Sequence, residues 1–166
     1  MHFHNITKDD MLNGEGLRVV LWVAGCGHRC PGCHNPITWD ETGGIEFDTD
    51  AEHELFEALN RPYISGITFS GGDPLFPSNR AEIGRLIEKC RTLFPLKTIW
   101  LYTGYLWEEI CVLDFIKTVD VIVDGRFDES RKDAKLFWKG STNQRVIDVK
   151  KTLENGSVVL HGKERE

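Results

Sequence analysis

Cys26, Cys30 and Cys33 fall within eight residues, in the stretch CGHRCPGCHN, with the spacing C-x3-C-x2-C. His28 and His34 stand among them. Three thiolates this close together can hold metal. With His28 or His34 as a fourth ligand they would form a closed, tetrahedral Cys3His zinc site. Zinc sites usually draw their ligands from two separated pairs, which join two pieces of chain. Here every ligand lies in one short loop. The same thiolates also suit a [4Fe–4S] cube, which normally takes four. Three leave one iron open, and an open position is what separates a reactive metal site from a structural one. Such an iron can chelate a small molecule through an amino and a carboxylate group. Spacing alone leaves zinc and the cluster both standing.

A second group of residues has the same character. SGGDP (70–74) combines two glycines, which let a backbone approach a ligand closely, with the carboxylate of Asp73. By itself it reads equally well as a turn before a helix. TGY (103–105) and DGR (124–126) are further short polar turns.

These loops need elements to position them. RVVLWVA (18–24) is a continuous apolar run, as in a strand buried on both faces. ISGITFS (64–70), KTIWLYT (97–103) and VDVIVD (119–124) repeat the pattern. A helix is expected over 50–60, with Leu55, Phe56 and Leu59 on one face and a capping box from Thr49 to Glu52. A second, capped by Ser78, carries the stripe Ile83, Leu86, Ile87, Cys90 and Leu93. A third spans roughly 106–117, and weaker strand signals lie near 144–149 and 157–160. Strand–helix alternation means a parallel α/β fold. A closed eight-stranded barrel needs about 250 residues, and this chain has 166. An incomplete β/α barrel or an open doubly wound sheet remains. In both, the site belongs at the carboxyl ends of the strands. Cys26, SGGDP, TGY and DGR each follow a strand, so all should meet at one end of the sheet. Residues 1–166 read as one domain.

Bulk properties narrow the classes. The net charge of −6 argues against a nucleic-acid partner, which calls for a basic face. No apolar run approaches the length of a membrane span. The N-terminus has neither the basic start nor the apolar stretch of a secretory signal, so a cytoplasmic location is expected. Five cysteines, an odd number with three clustered, make a poor disulfide framework. Cys90 and Cys111 lie on apolar helical stretches and read as core.

The cysteine loop after a first strand resembles the radical S-adenosylmethionine (SAM) enzymes. Blocks 13–39, 70–79, 99–105, 119–127 and 138–145 together resemble the activating proteins of anaerobic (class III) ribonucleotide reductases. That resemblance implies an incomplete β/α barrel of the radical SAM type, mostly parallel. It implies that Cys26, Cys30 and Cys33 ligate a [4Fe–4S] cluster whose fourth iron binds SAM. Reductive cleavage would give methionine and a 5′-deoxyadenosyl radical, which takes hydrogen from a backbone glycine of the reductase. The implied partners are that reductase and flavodoxin or a similar small electron carrier. An activase of another glycyl-radical enzyme, a small-molecule radical SAM enzyme and a zinc-binding module remain as alternatives.

By the same resemblance, Gly71, Gly72 and Asp73 would hold the methionine end of SAM, with Asp73 near the ammonium. Related loops often place an aromatic residue where this chain has Gly32. The backbone of Gly32 and Cys33 would then meet the adenine, with His34 either beside it or a plain loop residue. Thr103 and Asp124 would help hold the SAM carboxylate, through a monovalent cation in some siblings, or else only cap strand ends. The family usually has proline where this chain has Glu15, within Asn13–Gly16. Arg145, in Asn143–Arg145, could pair with a carboxylate of SAM or of the partner, or form a surface ion pair.

Overall fold

The computed structural model describes residues 1–162. Its frame is one seven-stranded sheet. The strands are β1 (His2–Asp10), β2 (Arg18–Val23), β3 (Ile45–Glu46), β4 (Gly66–Gly71), β5 (Thr98–Tyr102), β6 (Val121–Asp124) and β7 (Arg145–Asp148). Their order is β3-β1-β2-β4-β5-β6-β7. Pairings β2–β4, β4–β5 and β5–β6 are parallel, whereas β1–β2, β1–β3 and β6–β7 are antiparallel. Only β1 and β7 therefore run against the rest. The four parallel strands succeed one another in chain order without a reversal. This is the winding of a β/α barrel rather than of a doubly wound sheet, which switches direction. The sheet does not close.

Helices α1 (Thr49–Leu59) and α2 (Arg80–Leu93) cover one face. Leu55, Phe56 and Leu59 of α1 and Ile83, Leu86, Ile87 and Cys90 of α2 pack against Val19, Leu21, Ile67, Phe69, Ile99 and Leu101. Each such large apolar side chain contributes about 1.5–3 kcal/mol on full burial. The alternate strand residues face the other way. There Trp100, Val121, Val123 and Val146 form a second, smaller cluster with Tyr102 and Trp138.

The apolar runs locate the four parallel strands to within about two residues. Several local expectations need correction. Asp48, not Thr49, caps α1, its carboxylate accepting from Ala51 N–H at 2.9 Å. Neither Ser78 nor Asn79 gives α2 a side-chain cap. Leu93, the last residue of α2, is 53% exposed, and Phe94 packs on the core in its place. The expected helix over 106–117 is only α3 (Trp107–Ile110), followed by a 3-10 turn at Asp114–Thr118. The β-branched Ile110 and Val112 are poor helix formers, and Val112 is left exposed. The 144–149 signal is β7, but 157–160 contributes only an isolated bridge, Leu160 to Ile147, after α4 (Val149–Asn155). Strands β1 and β3 had no clear sequence signal. In β1 two register irregularities break the alternation that would mark it. Cys90 is buried, while Cys111 is only partly so at the edge of the same core.

Candidate functional site

The parallel register brings the carboxyl ends of β2, β4, β5 and β6 to one edge, where Val23 pairs with Gly71 and Tyr102 with Val123. The loops that leave these strands enclose a cavity of about 220 Å³. Of the site residues read from sequence, Cys26, Cys30, Cys33, His34, Gly71, Gly72, Asp73 and Thr103 line it. Gly32 and Asp124 do not. Gly32 instead lies under the Glu129 carboxylate, which a β-carbon there would meet at 2.6 Å.

The cysteine loop is closed at its base. Gly25 N–H donates to Thr38 O at 2.8 Å and Cys26 N–H to Trp39 O at 3.1 Å. Within it, Cys33 N–H donates to Cys30 O at 3.1 Å, and Asn35 N–H points at Cys33 Sγ at 3.4 Å. All three thiols are free and half-buried. Burial pushes the Cys26 thiol up from its ordinary value, which favours the neutral form until a metal takes the thiolate. No group of three His, Cys, Asp or Glu side chains among the described residues is arranged to hold a single metal ion. A cube asks less convergence, because each thiolate binds its own iron. The donor set, a backbone N–H on one sulfur and an adjoining cavity fit such a cluster. His28 is not a free fourth ligand. Its Nε2 lies 2.7 Å from Asp73 Oδ2, and its ring meets Tyr105 edge-on at 4.6 Å.

Asp73 is the hub of the site. It is 1% exposed. A buried carboxylate is costly unless donors surround it. Here His28 Nε2 and Gly104 N–H donate to Oδ2 at 2.7 and 3.0 Å. Leu75 N–H donates to Oδ1 at 2.8 Å, and the Thr103 hydroxyl reaches Oδ1 and Oδ2 at 2.9 and 3.1 Å. Since a carboxylate only accepts, Nε2 of His28 carries its proton. Beside the role expected of it toward an ammonium, Asp73 has a structural one. Its oxygens tie the cysteine loop, the SGGDP turn and the TGY turn together.

The glycines before it serve the same join. Gly71 has φ +102, a conformation side chains rarely adopt, and a β-carbon on Gly72 would lie 2.5 Å from Gly25 O. Their close neighbour is thus the backbone beside Cys26. Asn79, whose role went unread, is 1% exposed and donates from Nδ2 to Ala24 O at 2.8 Å and Asp73 O at 3.1 Å.

Asp124 is fully buried but turned away from the cavity. Arg145 donates from Nε to Oδ1 at 3.0 Å and from Nη2 to Oδ2 at 2.5 Å, and Trp107 N–H reaches Oδ2 at 2.8 Å. Arg145 also binds Glu108 at 3.1 and 2.9 Å. Thr103 has given its hydroxyl to Asp73. This donor set does not fit a bound monovalent cation. Trp39 Nε1 does suggest an absent polar ligand. Trp39 lines the cavity, and its Nε1 is buried without a hydrogen-bond partner among the described residues. The Tyr102 hydroxyl is buried and unpartnered too, but the charges it faces are those of Arg18 and Asp10, toward the amino ends of the sheet. Burial also raises the Tyr102 phenol, which keeps it protonated. Asn13 and Gly14 belong to the opposite end, where Thr68 donates to Asn13 O at 2.7 Å.

A one-way wound parallel run with three thiols in the loop after its first strand fits an iron–sulfur protein of the α/β type. A family model described as a 4Fe-4S single cluster domain matches residues 12–147. The chain is 46% identical over 146 residues to the anaerobic ribonucleoside-triphosphate reductase-activating protein of Enterobacteria phage T4, covering 88% of this chain and 93% of that one. The protein of the same name from Escherichia coli (strain K12) is 40% identical over 150 residues, with 88% and 97% covered. That from Vibrio cholerae is 36% identical over 148 residues, with 87% and 96% covered. The chain belongs to the family of anaerobic ribonucleoside-triphosphate reductase-activating proteins, within the radical SAM superfamily.

Proposed function

We propose that this chain is the activating enzyme of an anaerobic ribonucleotide reductase, and that residues 1–166 work as one radical SAM domain built on a partial β/α barrel. The carrying observation is the meeting of the cysteine loop with the SGGDP and TGY turns around one cavity. Cys26, Cys30 and Cys33 would hold the [4Fe–4S] cluster. When bound, the cluster supplies one electron that cleaves SAM to methionine and a 5′-deoxyadenosyl radical, which takes hydrogen from a backbone glycine of the reductase.

The chain's own residues orient and shield that chemistry. Asp73 and His28 fix the cysteine loop against the strand ends. The backbone of Gly71 and Gly72 borders the cavity where the methionine end of SAM would lie. Trp39 Nε1 can only donate, so an acceptor group of SAM would satisfy it. His34 stands over Phe127, with ring centroids 5.7 Å apart, and both border the cavity where the adenine would lie. The unclosed sheet leaves room for a loop of a large protein substrate. Flavodoxin or a similar carrier would supply the electron. No helix among the described residues is long and apolar enough to cross a membrane.

The test is anaerobic reconstitution with iron and sulfide, reduction, and electron paramagnetic resonance with and without SAM. A reduced cluster signal that changes on adding SAM is expected, followed by methionine release and a glycyl radical on the reductase. A colourless protein with one zinc and no response to SAM would overturn the proposal.

A further inference from the structure

The charge at Asp124 is already matched. A fully buried carboxylate requires a positive partner or several donors. Arg145 provides the first through a two-point contact, at 3.0 and 2.5 Å. Such forked pairs are among the strongest charged hydrogen bonds. Glu108 holds the outer side of the same guanidinium. Arg145 does not work alone. Gln144 Nε2 donates to Gly125 O at 3.0 Å, and Asn143 Nδ2 donates to Arg126 O at 2.8 Å. Three successive side chains, 145 back to 143, therefore bind three successive residues, 124 on to 126. They continue the antiparallel pairing of β6 and β7, in which Asp124 faces Arg145, beyond the end of the strands.

An inorganic cation at Asp124 would have to displace that fork. We infer that Arg145 is a built-in cation: it takes the place of a monovalent metal ion at Asp124 and, with Asn143 and Gln144, fixes the DGR turn without one. Gly125 and Arg126 of that turn line the cavity, so Arg145 is a positioning residue that acts through Asp124 and residues 125–126. Its effect on SAM rests on the function proposed above; its effect on stability does not.

The test compares cluster-loaded protein, handled anaerobically, in potassium, sodium and choline chloride at equal ionic strength. SAM affinity is read from the resonance change and stability from the melting temperature. The wild type should give the same Kd to within about two-fold and the same Tm to within about 1 °C in all three salts. A Kd at least about five-fold tighter, or a Tm more than about 3 °C higher, in potassium or sodium than in choline would overturn the inference. In choline, Arg145→Gln should lower Tm and weaken SAM binding at least about five-fold. Arg145→Lys, which keeps the charge without the fork, should recover part of that loss. A Gln variant equal to wild type, or a Lys variant no better than Gln, would also overturn it. If the Gln variant does not fold, the wild-type salt series decides. If SAM binds in no salt, the radical SAM reading falls and the melting temperatures still decide the cation question.

Discussion

The two ends of the parallel sheet each bury a charge, and they satisfy it differently. At the amino ends Arg18 is fully buried, and the carboxylates of Asp120, Asp10 and Glu15 act on it without a hydrogen bond among the described residues. Its guanidinium makes five hydrogen bonds of 2.7–2.9 Å to Thr68, Glu15 O, Ile67 O and both oxygens of Thr98, and it lies over the Trp100 ring at 5.4 Å. Burial lowers its pKa to about 10, which still leaves it charged at neutral pH. At the carboxyl ends Asp73 takes its donors from three separate loops. Arg18 bonds mostly to strands that the sheet has already aligned, so it plugs the fold. Asp73 joins segments that would otherwise have nothing to align them, so it builds the site. A buried charge can thus secure stability at one end and geometry at the other.

Arg18→Ala should show the largest effect, because it strands several buried acceptors. A loss of about 4 kcal/mol is expected in urea unfolding. A change under about 1 kcal/mol would end the description of Arg18 as a plug. Gly72→Ala comes next. Its β-carbon would press on Gly25 O, for about 1–3 kcal/mol of strain, and iron content after reconstitution should fall with it. Asp73→Asn should weaken SAM binding about ten-fold, which corresponds to about 1.4 kcal/mol, while lowering stability less than Arg18→Ala does. Equal loss of stability in the two variants would erase the distinction between the ends.

The smallest effect belongs to a site outside both ends. Glu52 of α1 bonds Arg85 at 2.5 Å and also Lys89, both on α2. The Arg85 contact, aided by Lys89, holds its carboxyl down at about 2, against an ordinary 4.5. A lowered carboxylate pKa stabilises the fold above the unfolded value. That contribution should fade as pH falls from 4.5 toward about 2. Solvent screening keeps it below about 1 kcal/mol. In Glu52→Gln this part of the acid slope should vanish from pH-dependent melting curves.

What the sequence made legible was local. Apolar runs marked the parallel strands, and glycine-bearing turns marked their ends, because both signals sit within a few neighbouring residues. Alternation fails in β1, where bulges interrupt it. The partners of Asp73 were hidden for another reason. His28 lies 45 positions away and Thr103 lies 30, so only the finished sheet brings them together. Arg145 could be seen as a charge in search of a carboxylate, but its choice of Asp124 depends on how β7 pairs with β6.

Both margins of the open sheet are blunted. At one, β3 spans only two residues, and beyond it β1 carries bulges and the charges of Lys8, Asp9 and Asp10. At the other, Asp148 N–H donates to Val159 O and His161 N–H to Val146 O, so residues 159–161 run along β7. Bare sheet margins invite strand addition by another molecule. An open sheet is exposed to that fate at both margins. Here the short β3 and the contacts along β7 leave little bare margin for such addition.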